Sequence, residues 1–537
     1  MNKKRTKIAD ISRGREDQLL EIPPGELSAL PCPYEKGEGS APVPAIPEQH
    51  KEKYDFSLDG VSALGLPKNP SPEEQDRLVE GFLSGLRKLL SKDDNWTFWQ
   101  QLVLSLEACT HCQTCNDACP IYTASGKQEI YRPTYRAEVL RSIVNRYLKK
   151  SGRAFPKLMG CDIELNWTTV ARLAELSFRC TMCRRCASWC PMGSDNGLIT
   201  HELRKLFSQE MGIAAKELHA QGSVRQLEVG ASTGLRPKAF KGIVEFMEEE
   251  IEAKTGRATK LPVDREGADI LFLHNSGEFL SWLENPIAFA IILEAAGKSW
   301  TLSSELAGYE ATNYGVWYDD VQFARVALKQ IEVARKLGVK KIVVGECGHA
   351  HKALTVIADR ILTGENNFPR ESFLPLLEDL VCNEKIKLDP GKNDFPVVLH
   401  DPCNMVRLMG IVEPQRRIIR KICPKFREME PHGVDNYCCG GGSGFAIMQS
   451  LNFPEWKSSV SGRMKMKQIL DSFQDVIRPE INKYVCAPCS NCKGQIRDIL
   501  AVHHAWEKCR IFYGGLAELV VNAMVDMKEP FITWEWR

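Results

Sequence analysis

The stretches "CTHCQTCNDACP" and "CTMCRRCASWCP" constrain this chain more than anything else in it. The first places Cys109, Cys112, Cys115 and Cys119 before Pro120, and the second places Cys180, Cys183, Cys186 and Cys190 before Pro191. Each reads C-x2-C-x2-C-x3-C-P, a spacing that holds [4Fe–4S] cubes. Two-residue gaps wrap the backbone so that three thiolates reach three irons of one cube. The fourth thiolate opens the next helix and points to the neighbouring cube. One cubane is therefore expected on Cys109, Cys112, Cys115 and Cys190, and the other on Cys180, Cys183, Cys186 and Cys119. Zinc is the competing occupant, and two complete copies with both prolines weigh against it. Two cubes in one small domain make a wire. The intervening segment, mostly helical ("YRPTYRAEVLRSIVNRYLKK"), is longer than a minimal ferredoxin uses, so a helix-rich variant is expected.

Of the 20 cysteines, ten precede residue 200, none lies between 191 and 346, and ten follow. The basic start "MNKKRTKIADISRGRED" is followed by no apolar h-region, so the clustered cysteines read as ligands or redox groups rather than a disulfide framework. A net charge of +1 argues against nucleic acid or an anionic membrane as partner. No apolar run approaches membrane-spanning length, and "GLAELVVNAMV" reads as a core helix. A cytoplasmic protein is expected, held at the membrane by a partner subunit.

The expected fold class is α+β and multidomain, a helix-rich double-cluster domain followed by a duplicated α/β region. Residues 1–75 read as an extended Pro/Gly-rich arm, 76–225 as the helical two-cluster domain, and 226–264 as a helical linker. Two lobes follow at 265–390 and 391–515, then a tail at 516–537. "ADILFLHN", "KKIVVGEC", "FPVVLHDPC" and "NKYVCAPC" read as buried strands between helical stretches. The lobes repeat one another: "FLHNSG" aligns with "VLHDPC", "TNYGVW" with "DNYCCG", and "GECGHAHKAL" with "APCSNCKGQI". Facing Cys403, Cys438, Cys439 and Cys492, the first lobe carries Gly277, Gly315, Val316 and Ala350, and only Cys347 survives, opposite Cys489. A lobe that kept its shape and lost its ligands can still form one wall of a cleft.

In the second lobe, Cys403 is followed after 34 residues by Cys438-Cys439, and after 49 more by Cys489-x2-Cys492. Thiolates at this density select iron–sulfur clusters or zinc, and five exceed zinc's usual tetrahedron. Gly440, Gly441, Gly442 and Gly444 are expected to let backbone approach a ligand. "HDPC", "CCGGG" and "CSNC" together resemble the CCG domain of heterodisulfide reductase catalytic subunits. The fusion of two ferredoxin runs to a duplicated CCG region resembles the D-type subunit, and in layout most the DsrK branch of that family, from the DsrMKJOP membrane complex. The resemblance covers residues 80–510. It implies a non-cubane [4Fe–4S] cluster, reactive toward substrate, on Cys403, Cys438, Cys439, Cys489 and Cys492. "CAPCSNC" also allows the pair Cys486/Cys489; the phase of "CSNCKGQI" favours Cys489/Cys492.

The activity so implied is reduction, or formation, of a disulfide-type bond with electrons passed through the two cubes. By resemblance the substrate is the trisulfide of the small protein DsrC, and the donor a DsrM-like membrane haem b subunit oxidising menaquinol. The alternatives are reduction of the coenzyme M–coenzyme B heterodisulfide, or a non-catalytic electron relay of a CCG-containing dehydrogenase. Cys32, Cys161, Cys382, Cys423 and Cys509 read as core or surface thiols, and His349 and His351 as structural. Asp401 is expected to orient its loop, and the cations of "RRIIRKICPKFR" to form a solvated face.

Overall fold

The computed structural model describes residues 7–12, 22, 25–35, 64, 66–67, 70–305, 308–448 and 456–536. The expected arm at 1–75 lies largely outside them. Its described pieces bind the chain itself: the Ile11 carbonyl accepts from buried Arg172, Ser28 N donates to the Ala124 carbonyl, and Tyr34 donates to the His503 carbonyl.

The N-terminal half is helical. α1 (Pro72–Leu89) starts where Ser71 caps the Glu74 amide, and buries Phe82, Leu86 and Leu89. α2 (Pro133–Ile143), α3 (Trp167–Phe178) and α4 (Asn196–Met211) complete the bundle around both cysteine runs. α4 packs on α1, on α3 and on the helix Trp99–Glu107. Its Lys205 reaches Asp320 of the first lobe at 2.9 Å, so a buried ion pair fastens the bundle to that lobe.

Each lobe holds a four-stranded parallel sheet. β1 (Ile270–Leu273), β2 (Trp300–Thr301), β3 (Lys341–Val344) and β4 (Arg370–Ser372) run in the order β2-β1-β3-β4. β5 (Val397–Leu399), β6 (Phe426–Arg427), β7 (Lys483–Cys486) and β8 (Ile511–Gly514) run β6-β5-β7-β8, the same topology. The four apolar runs singled out in the sequence are the two central strands of each sheet, buried on both faces. The outer strands β2, β4, β6 and β8 are not among them: β2 and β6 are two residues long, and β4 is polar and partly exposed.

The lobes embrace reciprocally. α5 (Glu284–Ala295) and α6 (Asp320–Lys336) belong to the first lobe, as does α7 (Phe373–Cys382); the second has α8 (Glu413–Ile422), α9 (Ser490–Val502) and α10 (Leu516–Ala523). α7, after the last strand of the first lobe, packs on α8 of the second, and α10 packs back on α5. All of α10 is buried, so the boundary drawn at residue 515 separates a core helix from its own lobe. The run "GLAELVVNAMV" is this helix. Among the described residues no helix is long and apolar enough to cross a membrane.

Glu346 locks the embrace. Its Oε1 accepts from the Leu516 and Ala517 amides of α10 at 2.9 and 2.8 Å, and its Oε2 from Asn285 Nδ2 at 2.8 Å. Burial pushes its carboxyl up to about 8, so folding favours the protonated form. The stability this group contributes is full below its ordinary value of 4.5 and is lost as pH rises through about 8. Glu346→Gln should match wild type near pH 4.5 and exceed it by a margin that grows from pH 6 to pH 8.5 in denaturant melts. Glu346→Ala, which strands the α10 amides, should lose about 1–3 kcal/mol.

Candidate metal centres

The two ferredoxin-type runs fold alike. Residues flanking the second cysteine are left-handed in both: His111 and Gln113 at φ 58° and 64°, Met182 and Arg184 at 44° and 61°. Left-handed backbone costs a non-glycine residue roughly 1–2 kcal/mol. The same strained wrap at equivalent positions turns three thiols of each run inward. Cys109, Cys112, Cys115 and Cys190 line one cavity. Cys119, Cys180, Cys183 and Cys186 line another. The chain thus brings the last cysteine of each run to the other run's loop. Burial, then Cys190 and Cys109, push the Cys115 thiol up to about 12, and burial does the same to Cys119. Cys115 in the first cavity and Cys119 in the second would ionise more readily beside a cation, which fits a metal cluster at each cavity. Backbone amides already aim at sulfur: Met182 N lies 3.3 Å from Cys180 Sγ, and Ser194 N lies 3.3 Å from Cys190 Sγ. Cys112 is exposed, so the first cavity opens at the surface.

The third group forms where β5 and β7 end. Cys403 opens a short helix after β5, Cys438 and Cys439 sit in an irregular loop, and Cys489 and Cys492 begin α9. Cys438 and Cys492 share hydrogen bonds with Cys439 and hold its thiol well below the ordinary range, while Cys492 itself is raised by Cys439 and Cys489. Cys438 also meets Cys403. All five are buried. Cys486 lies elsewhere, at the end of β7, with Glu346 and Cys423 as neighbours, so the geometry groups Cys489 with Cys492 rather than with Cys486. A dry set of five convergent sulfurs, one of them already favoured as thiolate, fits an iron–sulfur cluster better than a four-coordinate zinc.

The second and third groups touch. Cys183 hydrogen-bonds Cys438, which pushes the Cys183 thiol well up. Three arginines hold this contact. Arg185 donates to the Ala118 and Asp435 carbonyls, each at 2.7 Å. Arg204, wholly buried, reaches the Cys180 carbonyl at 2.8 Å and that of Ser443 at 3.0 Å. Arg407 reaches the Cys183 carbonyl at 2.9 Å and that of Val434 at 2.7 Å.

The glycines let this loop pack closely on protein. A Cβ on Gly440 (φ +100°) would strike the Gly462 amide at 2.4 Å, and one on Gly442 the Thr181 carbonyl at 2.6 Å, so the loop lies against a neighbouring turn and the second cysteine run. The first lobe closes the other side. Gly348 N donates to Cys489 Sγ at 3.2 Å, and His349 Nε2 accepts from Ser443 N at 3.1 Å. Burial holds His349 down to about 3, consistent with this acceptor role. His351 bridges the Cys347 carbonyl and Ser372.

Asp401 binds the loop as expected, through Gly433 N at 2.6 Å. Arg417, Arg420, Lys421 and Lys425 form the expected solvated face, and Arg416 departs from it: it is buried and pairs with Asp401 at 2.6 Å, because the loop needs its carboxylate there and a buried carboxylate needs a counter-charge. Burial raises Asp401, yet Arg416 and Gly433 hold it below its ordinary value. Two further residues went unread. His400 has a ring nitrogen within 4.8 Å of the Cys439 and Cys492 sulfurs. Lys465 is wholly buried, bonded to Asn436 Oδ1 at 2.8 Å, and pushed down to about 7 by burial against the pull of Asp401 and Cys439. His400 stood inside the quoted "HDP"; nothing local marks Lys465. Cys161, Cys423 and Cys509 are buried, Cys382 half-buried and Cys32 exposed.

Residues 105–194 match the family model described as a 4Fe-4S dicluster domain, and residues 397–497 that of the CCG cysteine-rich domain. The chain is 26% identical to the Hdr-like menaquinol oxidoreductase iron-sulfur subunit 2 of Archaeoglobus fulgidus, over 90% of this chain and 93% of that protein. It is 26% identical to the D-type subunit of the dihydromethanophenazine:CoB–CoM heterodisulfide reductase of Methanosarcina acetivorans, over 74% of this chain and 89% of the relative. No solved structure matches. The chain is thus similar along most of its length to Hdr-like and D-type iron–sulfur subunits, with a 4Fe-4S dicluster domain and a CCG domain in the same order.

Asp401→Asn leaves Arg416 buried with only the half-buried Glu428, and should lower unfolding free energy by about 3 kcal/mol, read as a fallen urea midpoint. A shift under about 0.5 kcal/mol would mean that this pair does not hold the loop.

Proposed function

We propose that the chain is the catalytic subunit of a heterodisulfide reductase-like complex, cleaving or forming a disulfide or trisulfide bond. One observation carries this reading: the five-sulfur group of the second lobe lies against the second of two cubane-type cavities, whose partner opens at the surface. Cys109, Cys112, Cys115 and Cys190 would hold the first cubane, Cys180, Cys183, Cys186 and Cys119 the second. Cys403, Cys438, Cys439, Cys489 and Cys492 would hold a non-cubane [4Fe–4S] cluster. When bound, these groups supply one-electron carriers and, at the third site, iron that can take a sulfur ligand. Cleavage consumes two electrons and two protons, R–S–S–R′ giving RSH and R′SH. The chain's own residues arrange this. Exposed Cys112 marks the end where electrons enter, the arginine bracket keeps the second and third sites adjacent, and burial of Cys438 and Cys439 excludes water.

In layout the chain is read as DsrK-like, with the DsrC trisulfide as substrate and a DsrM-like haem b subunit passing on electrons from menaquinol. The menaquinol oxidoreductase subunits among its relatives support a quinol donor. A cytoplasmic location, at the membrane through that partner, follows from this reading. The D-type relatives support a second substrate, a heterodisulfide of two small thiols.

Anaerobically isolated protein should contain about twelve irons. Cys439→Ala should bring the count to about eight, leave both cubane paramagnetic signals, and abolish disulfide reduction with reduced viologen. Unchanged turnover in that variant would contradict a catalytic third site.

A further inference from the structure

A cavity of about 220 Å³ lies where the helical half meets both lobes. Its walls are apolar, from Phe98, Leu198, Val356, Ile357 and Leu408. Its charges are not balanced. Arg184, Lys352 and Arg360 all line it, against one carboxylate, Asp195. Asp195 is already engaged, pairing with Arg184 and accepting from the Gly197 and Leu198 amides at 2.9 and 3.0 Å. Arg360 lies over the Phe98 ring at 5.4 Å, which orients it without neutralising it. Lys352 is nine-tenths buried, and neither it nor Arg360 forms an ion pair among the described residues.

Such a buried ammonium is costly, and its surroundings show it. Burial, then Arg184, push Lys352 down to about 8, while Asp195 and Cys403 work in the opposite sense. The helical turn that Lys352 opens packs on the short helix Cys403–Leu408. Of the five cysteines Cys403 is the least buried, at 9% exposed, against 4% for Cys492 and 1% for Cys438, Cys439 and Cys489. Leu408 closes the helix that Cys403 opens. The cavity thus shares one wall, Leu408, with the helix that carries Cys403, the least buried of the five cysteines.

We infer that this cavity is the anion subsite for the sulfur substrate: it takes an organic disulfide bearing a carboxylate, with the charge on Lys352 and Arg360 and the apolar stem along Leu198 and Val356. This rests on the proposed function and adds the substrate's charge to it. Protein in its cluster-loaded form should be titrated calorimetrically under anaerobic conditions with three probes. These are 3,3′-dithiodipropionate, its sulfur-free isostere suberate, and neutral bis(2-hydroxyethyl) disulfide. Both dianions should bind wild type more tightly than the neutral disulfide. Lys352→Gln should weaken both about tenfold or more and leave the neutral probe unchanged, while Lys352→Arg should keep most of the affinity. Dianion affinities that are equal in wild type, Lys352→Gln and Arg360→Gln would overturn the subsite, as would no dianion binding at all. Suberate binding lost in Lys352→Gln, with no disulfide reduced by any variant, would keep the subsite and remove the proposed function. Reduction of the neutral and charged disulfides with equal KM would do the reverse.

Discussion

Arg185, Arg204 and Arg407 hold together the contact on which the rest of the molecule depends. Each donates to main-chain carbonyls of the second cysteine run or its neighbour and of the loop bearing Cys438 and Cys439. Guanidinium suits this task, because its fixed fork can hold two loops at once and stays charged even when buried. Burial lowers Arg204, to about 9, which still leaves it cationic at neutral pH. Most of these carbonyls lie outside regular strands and α-helices, since both loops wrap inward around sulfur. A single device therefore satisfies buried polar backbone and sets the spacing between two candidate redox sites.

The sulfur groups impose an electrostatic demand of their own. Cys438 and Cys492 give hydrogen bonds to Cys439, and His400 adds another, so one thiolate is tolerated where several would repel. Lys465 stands nearby as a buried cation, tied through Asn436 to the loop that carries Cys438. Asp401, paired with Arg416 and bonded to Gly433, fixes the same loop from its other side. An anionic cluster at these cysteines would favour the charged form of Lys465, which burial disfavours.

The degenerate first lobe has lost all of these sulfurs but Cys347 and has kept its place. Its loop from Cys347 to His351 faces the Cys489 turn, and its Glu346 caps a helix of the other lobe. The exchange of α7 onto α8 and α10 onto α5 gives the pair an approximate twofold relation. Loss of ligands in one copy leaves a single sulfur group with a protein wall opposite, which turns a symmetric pair into a one-sided site.

Much of this was written in local sequence. The two cysteine runs, the central strands β1, β3, β5 and β7, and the repeat could be read directly, because ligand spacing and buried apolar runs are short-range patterns. The crossing of Cys119 and Cys190 followed from the chemistry of the spacing. What no local pattern carries is which distant groups meet. Lys465, Arg204 and Arg416 look like ordinary solvated cations in sequence, and folding buries them because carbonyls and carboxylates from other segments converge there. The glycines after Cys439 also let the loop pack on Thr181 and Gly462, contacts that no local pattern announces. Sequence by itself determined which atoms can bind metal. Tertiary structure decided their order along a path, since only packing of separate segments sets the distance between charges.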